Sequence, residues 1–194
     1  MGQLVHATAG PVPQGQAIAV KVDEAPSQYL TFALGGEMFA VGILNVKEII
    51  EYGNLTEIPM MPAFIRGVIN LRGSVVPVID LAARFGGKSA ELNRRTCIVI
   101  VEVHDELADQ VSHHDIGIMV DAVSEVLDIP GSEIEPPPSF GARIRADFIF
   151  GMGKVAGKFV IILNIDKVLS VEEIAHLTGS DDSAVEALAA PGAT

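Results

Sequence analysis

Tryptophan is absent from the 194 residues, cysteine occurs once, and 13 basic residues stand against 25 acidic ones. Each shortage closes a class. Cys97 alone permits no disulfide within the chain, and it opens the run Cys97-Ile98-Val99-Ile100-Val101, where a thiol serves as a small apolar side chain. Nothing in the sequence pairs it with a base, so a reactive role is not expected. A formal net charge of −12 repels phosphate backbones and anionic headgroups, which argues against nucleic acid as a partner. No apolar run approaches the roughly 20 residues that cross a bilayer, and Met1-Gly2-Gln3-Leu4-Val5-His6 lacks a basic stretch followed by an apolar one. A cytoplasmic protein without direct membrane insertion is expected. Catalytic signatures are missing too: no Gly-x-Ser-x-Gly elbow, no Gly-x-x-x-x-Gly-Lys loop, no His-Glu-x-x-His helix, no paired cysteine ligands.

What is present is short and β-branched. Hydrophobic residues make up 49% of the chain, largely Val and Ile, and 19 glycines with 11 prolines divide them into brief runs, the profile of a mainly β protein. Residues 1–26, rich in Gly, Pro, Gln and Ala, read as a flexible arm. Tyr29–Leu34 and Met38–Val41, joined by Gly35-Gly36-Glu37, read as a hairpin. Ile43–Glu51 fits a turn followed by a strand, with Val46 and Glu48 on one face. Pro59 and Pro62 mark an extended connection. A second hairpin follows, Gly67–Leu71 and Ser74–Ile79, turning at Asn70-Leu71-Arg72-Gly73 with Gly73 free to take positive φ. Its corner lifts Arg72 toward solvent, where a planar guanidinium on a rigid tip suits bidentate pairing with a carboxylate. Pro77 places the second strand at an edge or a bulge. Asp80 to Gly86 then reads as a short helix, Asp80 as its N-cap rather than a catalytic acid.

The second half repeats the first. Gly67, Gly73, Val76, Val78 and Leu81 fall, 84 positions on, at Gly151, Gly157, Val160, Ile162 and Ile165, and Asp80 falls at Asn164, another capping residue. Val46–Ile50 returns 77 positions on as Val123–Leu127, and Pro62 and Phe64 return 76 positions on as Pro138 and Phe140. Two lobes follow, 27–92 and 93–170, with exchange of strands between them allowed, and 171–194 forms a helix from Val171 to Leu177 and a frayed tail. Units of some 70 residues bury little surface alone and should lean on each other. His104-Asp105-Glu106 and His113-His114-Asp115 are expected at the two ends of a polar loop, where a metal site lacks converging ligands; no metal and no cofactor is expected. Pro136-Pro137-Pro138 reads as internal linker.

Taken together, Phe39-Ala40-Val41, Val46-Lys47-Glu48-Ile49-Ile50, Pro62–Gly73, Val76–Leu81 and Gly117–Val123 resemble the CheW-like coupling proteins of bacterial chemotaxis, over about residues 28–170. The resemblance implies an all-β fold of two SH3-like five-stranded barrels related by a pseudo-twofold, with short helices. It implies a protein without an active site that bridges methyl-accepting chemotaxis receptors and the regulatory domain of the histidine kinase CheA. It also implies receptor contact at Val46, Glu48, Asn70 and Arg72, in a groove between the lobes; the kinase contact stays unassigned. The long N-terminal arm, the histidine-bearing segment and the Ala-rich tail depart from the common pattern and leave open which receptor set or pathway is served; the alternative is a CheW-like scaffold of a type IV pilus or other non-flagellar chemosensory pathway. An enzyme using Glu48 and Arg72 as acid and clamp is the weaker reading, since no nucleophile or base stands beside them.

Overall fold

The computed structural model describes residues 27–53, 55–89, 91–107, 110–137, 144–170 and residue 174, with 105–107 and 110–112 as backbone only. The expected arm, most of the C-terminal helix and tail, Pro138 and Phe140 lie outside the described residues. Eleven strands and two short α-helices follow in order: β1 (Ser27–Leu34), β2 (Glu37–Gly42), β3 (Val46–Glu51), β4 (Ile65–Leu71), β5 (Ser74–Asp80), α1 (Leu81–Arg84), β6 (Cys97–Leu107), β7 (Gln110–Val120), β8 (Ala122–Ile129), β9 (Ile134–Glu135), β10 (Ile149–Val155), β11 (Lys158–Leu163) and α2 (Ile165–Val168). The fold is all-β, as expected.

The strands form two sheets, ordered β8-β1-β2-β11-β10-β9 and β3-β6-β7-β5-β4. Their first five positions correspond one to one. Each contains one parallel pairing at the same place, Ile161 opposite Phe39 in the first sheet and Val78 opposite Gly117 in the second. The sixth strand of the larger sheet is the two-residue β9, pairing Glu135 with Met152; its counterpart is a lone bridge between Thr56 and Val68. One copy thus carries a six-stranded sheet where five strands were expected.

The sheets cut across the 27–92 and 93–170 division. β1 and β2 join the strands of the second half, whereas β6 and β7 join those of the first, so the two copies exchange their leading hairpins. The physical reason lies in β1, whose residues Tyr29–Phe32 are buried without interruption. A strand apolar on both faces satisfies either sheet, and its pattern does not say which.

Three cores result. Ile69, Val76, Val78, Ile98, Ile100 and Met119 fill the smaller sheet's interior, and Tyr29, Ala40, Ile129, Val160 and Ile162 fill the larger's. The largest cluster joins the two: Phe32, Phe39 and Phe148 pack with Leu81, Val99, Val101 and Ile118. Burying this shared face stabilises both lobes, each too small to be secure alone.

The repeat is visible in backbone detail. Both 84-offset hairpins shift register at the same place, between Ile65 and Gly67 and between Ile149 and Gly151. Asp80 N–H donates to the Phe64 carbonyl at 2.8 Å, and Asn164 N–H to the Phe148 carbonyl at 2.8 Å. The counterpart of Phe64 is therefore Phe148, 84 positions on, and not Phe140; the Phe and Pro match at an offset of 76 misled because the connection before β10 is longer than the one before β4. Asp80 Oδ1 accepts from Ala83 N–H at 3.2 Å and Asn164 Oδ1 from Lys167 N–H at 3.3 Å, so both act as helix caps. Pro77 sits on β5, an interior strand rather than an edge, but it pairs only with Val68; the parallel ladder to β7 begins at Val78. The ring thus removes no donor from that ladder.

Candidate functional site

Arg72 and Gly73 form the two-residue turn between β4 and β5, both at positive φ, 54° and 93°. Such a turn matches the right-handed twist of the strands it joins. Asn70 Oδ1 accepts from Gly73 N–H at 2.9 Å and braces the corner. Arg72 is held in a conformation that L-residues adopt at some cost, and its side chain is 80% exposed. Positive φ, expected at Gly73, extends to Arg72.

The tip does not point idly outward. Arg72 Nη2 lies 3.0 Å from both Glu48 Oε1 and Glu48 Oε2. Glu48 belongs to β3, and β3 and β4 are the two edges of the smaller sheet. The pair therefore spans the mouth where the rolled sheet's edges face each other. Just below, Ile50 and Tyr52 pack with the cluster that contains Ile69, and Ile50, Tyr52, Ile69 and Asn70 line a recess of about 380 Å³. Two residues read separately from the sequence as contacts form one unit here.

Val46 is placed differently from expectation. The β3–β6 ladder shifts register at Lys47, setting Val46 opposite Val101 and Glu48 opposite Ile100, adjacent positions on β6. Val46 and Glu48 therefore do not share a face: the bulge turns Val46 toward the core between the sheets, against which it packs half-buried, and leaves Glu48 to reach Arg72. Asn70 remains exposed beside the turn.

The bulged Lys47 binds two carboxylates, Glu102 Oε1 at 2.7 Å and Asp115 Oδ1 at 2.6 Å. Burial works to lower the Lys47 pKa, but hydrogen bonds to Asp115 and Glu102 and their charges outweigh it, and the net direction is upward. The Lys47 hydrogen bond holds Glu102 below the ordinary carboxylate range against the opposing effect of burial, with the Lys47, His113 and His104 charges adding to it.

The segment read as a polar loop is a hairpin. β6 and β7 pair without interruption from Cys97–Val120 to Leu107–Gln110, so His104 and His113 face each other across a ladder. Elsewhere polar groups serve the backbone. Asp121 Oδ2 accepts from Gly35 N–H at 2.7 Å, and the Cys97 thiol donates to the Arg95 carbonyl at 3.1 Å. Both line an open cleft of about 570 Å³ between the sheets. Among the described residues no helix is long and apolar enough to cross a membrane.

The second copy carries a similar corner without the charge. Ala156 and Gly157 turn at φ 48° and 77°, and Glu125 corresponds to Glu48, but alanine stands where Arg72 would be. The duplicated scaffold bears the bridging pair on one lobe.

Residues 28–173 match the model of the CheW-like domain. The chain is similar to a chemotaxis protein CheW of Klebsiella aerogenes, 34% identical over 76% of this chain and 84% of that one. It is also similar to protein FrzA of Myxococcus xanthus, 30% identical over 78% of this chain and 91% of that one. Among solved structures, the scaffolding protein TtCheW of Thermoanaerobacter tengcongensis superposes with a TM-score of 0.64 at 36% identity, covering 74% of this chain and 92% of that one. With the duplicated all-β fold and a family match over most of its length, the chain belongs to the CheW-like family of chemotaxis adaptor proteins.

Proposed function

We propose that the chain acts without chemistry, coupling chemoreceptor tips to the histidine kinase CheA, with Val46, Glu48, Asn70 and Arg72 contributing the receptor contact. It would work in the cytoplasm, recruited to membrane-bound receptor arrays. The observation that carries this reading is the Glu48–Arg72 pair: an exposed, backbone-braced arginine, already oriented by a carboxylate, loses little entropy on meeting a partner's polar groups. Coupling then requires only that the adaptor bind two kinase–receptor geometries with different free energies. The missing catalytic sequence signatures favour an adaptor over an enzyme.

Arg72→Glu tests the assignment. It places two carboxylates where one ion pair stood, and the expected result is loss of receptor-dependent kinase activation with kinase binding and fold retained. Full activation by the variant would refute it. A second reading, service in a chemosensory pathway other than the flagellar one, is distinguished by the receptor set that supports activation.

A further inference from the structure

On the β6–β7 hairpin, Glu102, His104, His113 and Asp115 form a two-by-two array. His104 is paired with His113 and Glu102 with Asp115, within a ladder that shows no bulge. Residues two apart on a strand share a face, and directly opposed side chains are close neighbours. The imidazoles of His104 and His113 lie edge to face with centroids 4.8 Å apart, and His113 Nδ1 is 3.8 Å from Glu102 Oε1. One ligand atom from each of Glu102, His104 and His113 lies within 4.8 Å of the others.

From this juxtaposition we infer that Glu102, His104 and His113 form a binding site for a divalent transition-metal ion of zinc type. Two imidazoles and one carboxylate suit such an ion, with a fourth position left for water. Ligands about 2.0–2.1 Å from a tetrahedral zinc lie roughly 3.4 Å from one another. The required contraction is small, and these half-exposed side chains supply it by rotation while the ladder holds the backbone. Asp166 of α2 supports the arrangement. Its Oδ1 accepts from the backbone N–H of His104 at 2.9 Å and lies 3.7 Å from His104 Nδ1, so a small rotation of the ring brings it to the hydrogen bond by which a carboxylate orients a metal-bound imidazole. Paired strands, in place of the expected loop, hold the two histidines in register.

Lys47 is the competing cation. Its ammonium holds Glu102 Oε1, but Asp115 offers it a second carboxylate at 2.6 Å, so Glu102 can turn to the metal without stranding Lys47. Removing that competitor should tighten the site.

The test is calorimetric titration of the full chain with zinc chloride at pH 7.5, with thermal melts in parallel. The expected result is one saturable site per chain, a raised Tm with zinc, and affinity weakened about tenfold or more by His104→Ala, by His113→Ala and by Glu102→Gln. Lys47→Gln should tighten binding several-fold. His104→Gln serves as a folded control should an alanine variant prove unstable. Absence of a saturable site, or zinc affinity unchanged in the His104→Ala/His113→Ala double variant, which leaves His6, His114 and His176 in place, would overturn the inference.

Discussion

Arg84 Nε donates at 3.0 Å to the carbonyl of Val168, the residue 84 positions on and its own counterpart in the repeat. Such a contact between matched residues marks the pseudo-twofold, where α1 and α2 meet. The guanidinium carbon also lies 5.4 Å from the Phe64 ring and 4.9 Å from the Phe148 ring, again a matched pair. One arginine ties the two copies together across their common core.

Arg84→Ala should therefore destabilise the protein as a whole, by roughly 2–3 kcal/mol, combining a charge-assisted hydrogen bond with two cation–π contacts. Arg84→Lys should recover only part, because an ammonium does not reproduce the planar fork and ring stacking. Urea unfolding checks this: the midpoint should fall, with the slope unchanged.

The paired bulges predict an ordered series. A Cβ on Gly67, where φ is +139°, would lie 2.1 Å from the Thr56 carbonyl oxygen, a backbone atom held in the bridge to Val68. At Gly151 it would meet Ile134 Cγ2 at 2.5 Å and the Glu135 carbonyl at 3.0 Å. Gly67→Ala should cost about 3 kcal/mol or more, Gly151→Ala about 1–2, since a side-chain methyl yields more readily than a backbone carbonyl. Gly73→Ala meets open space and should cost only the strain of positive φ, about 1 kcal/mol. Thermal melts of the three variants test the order.

The Lys47–Glu102–Asp115 cluster fixes a pH dependence. Glu102 is lowered in the folded state, so its contribution is present above the unfolded carboxylate value of about 4.3 and is lost as pH falls through the lower folded value. Lys47 is raised, so its contribution is present below about 10.4 and lost as pH climbs through the higher folded value. Between these limits Glu102 and Lys47 should make no slope. Glu102→Gln should flatten part of the acid limb, by under about 1 kcal/mol for so exposed a pair, in unfolding curves taken from pH 6 to pH 3.

For Glu48 and Arg72, stability and function should separate. Their exposed pair is worth roughly 0–1 kcal/mol, so Glu48→Ala and Arg72→Ala should leave the Tm nearly unchanged while weakening receptor coupling. A double-variant cycle scored on kinase output should show strong non-additivity, because both act as one unit.

Much of this was legible in the chain. Hairpins, caps and the 84-residue offset are local patterns written by glycine, proline and capping residues, and they reappear at Gly73, Gly157, Asp80 and Asn164. Three features were not. Exchange of the leading hairpins depends on partners distant in sequence, and the two-faced burial of β1 gives no directional cue. The bulge at Lys47 inverts the faces of Val46 and Glu48, and strict alternation cannot register an inserted residue. Polar residues at His104 and His113 read as loop because the far end of β6–β7 extends beyond the core, where strand residues need not be apolar.

The most direct test is co-sedimentation of the wild-type chain with receptor-bearing membranes and the cognate kinase, scored for kinase output. The chain should pellet with both, and kinase activity should rise only when all three are present. A chain that joins neither membrane nor kinase, or kinase activity indifferent to its addition, would contradict the adaptor reading.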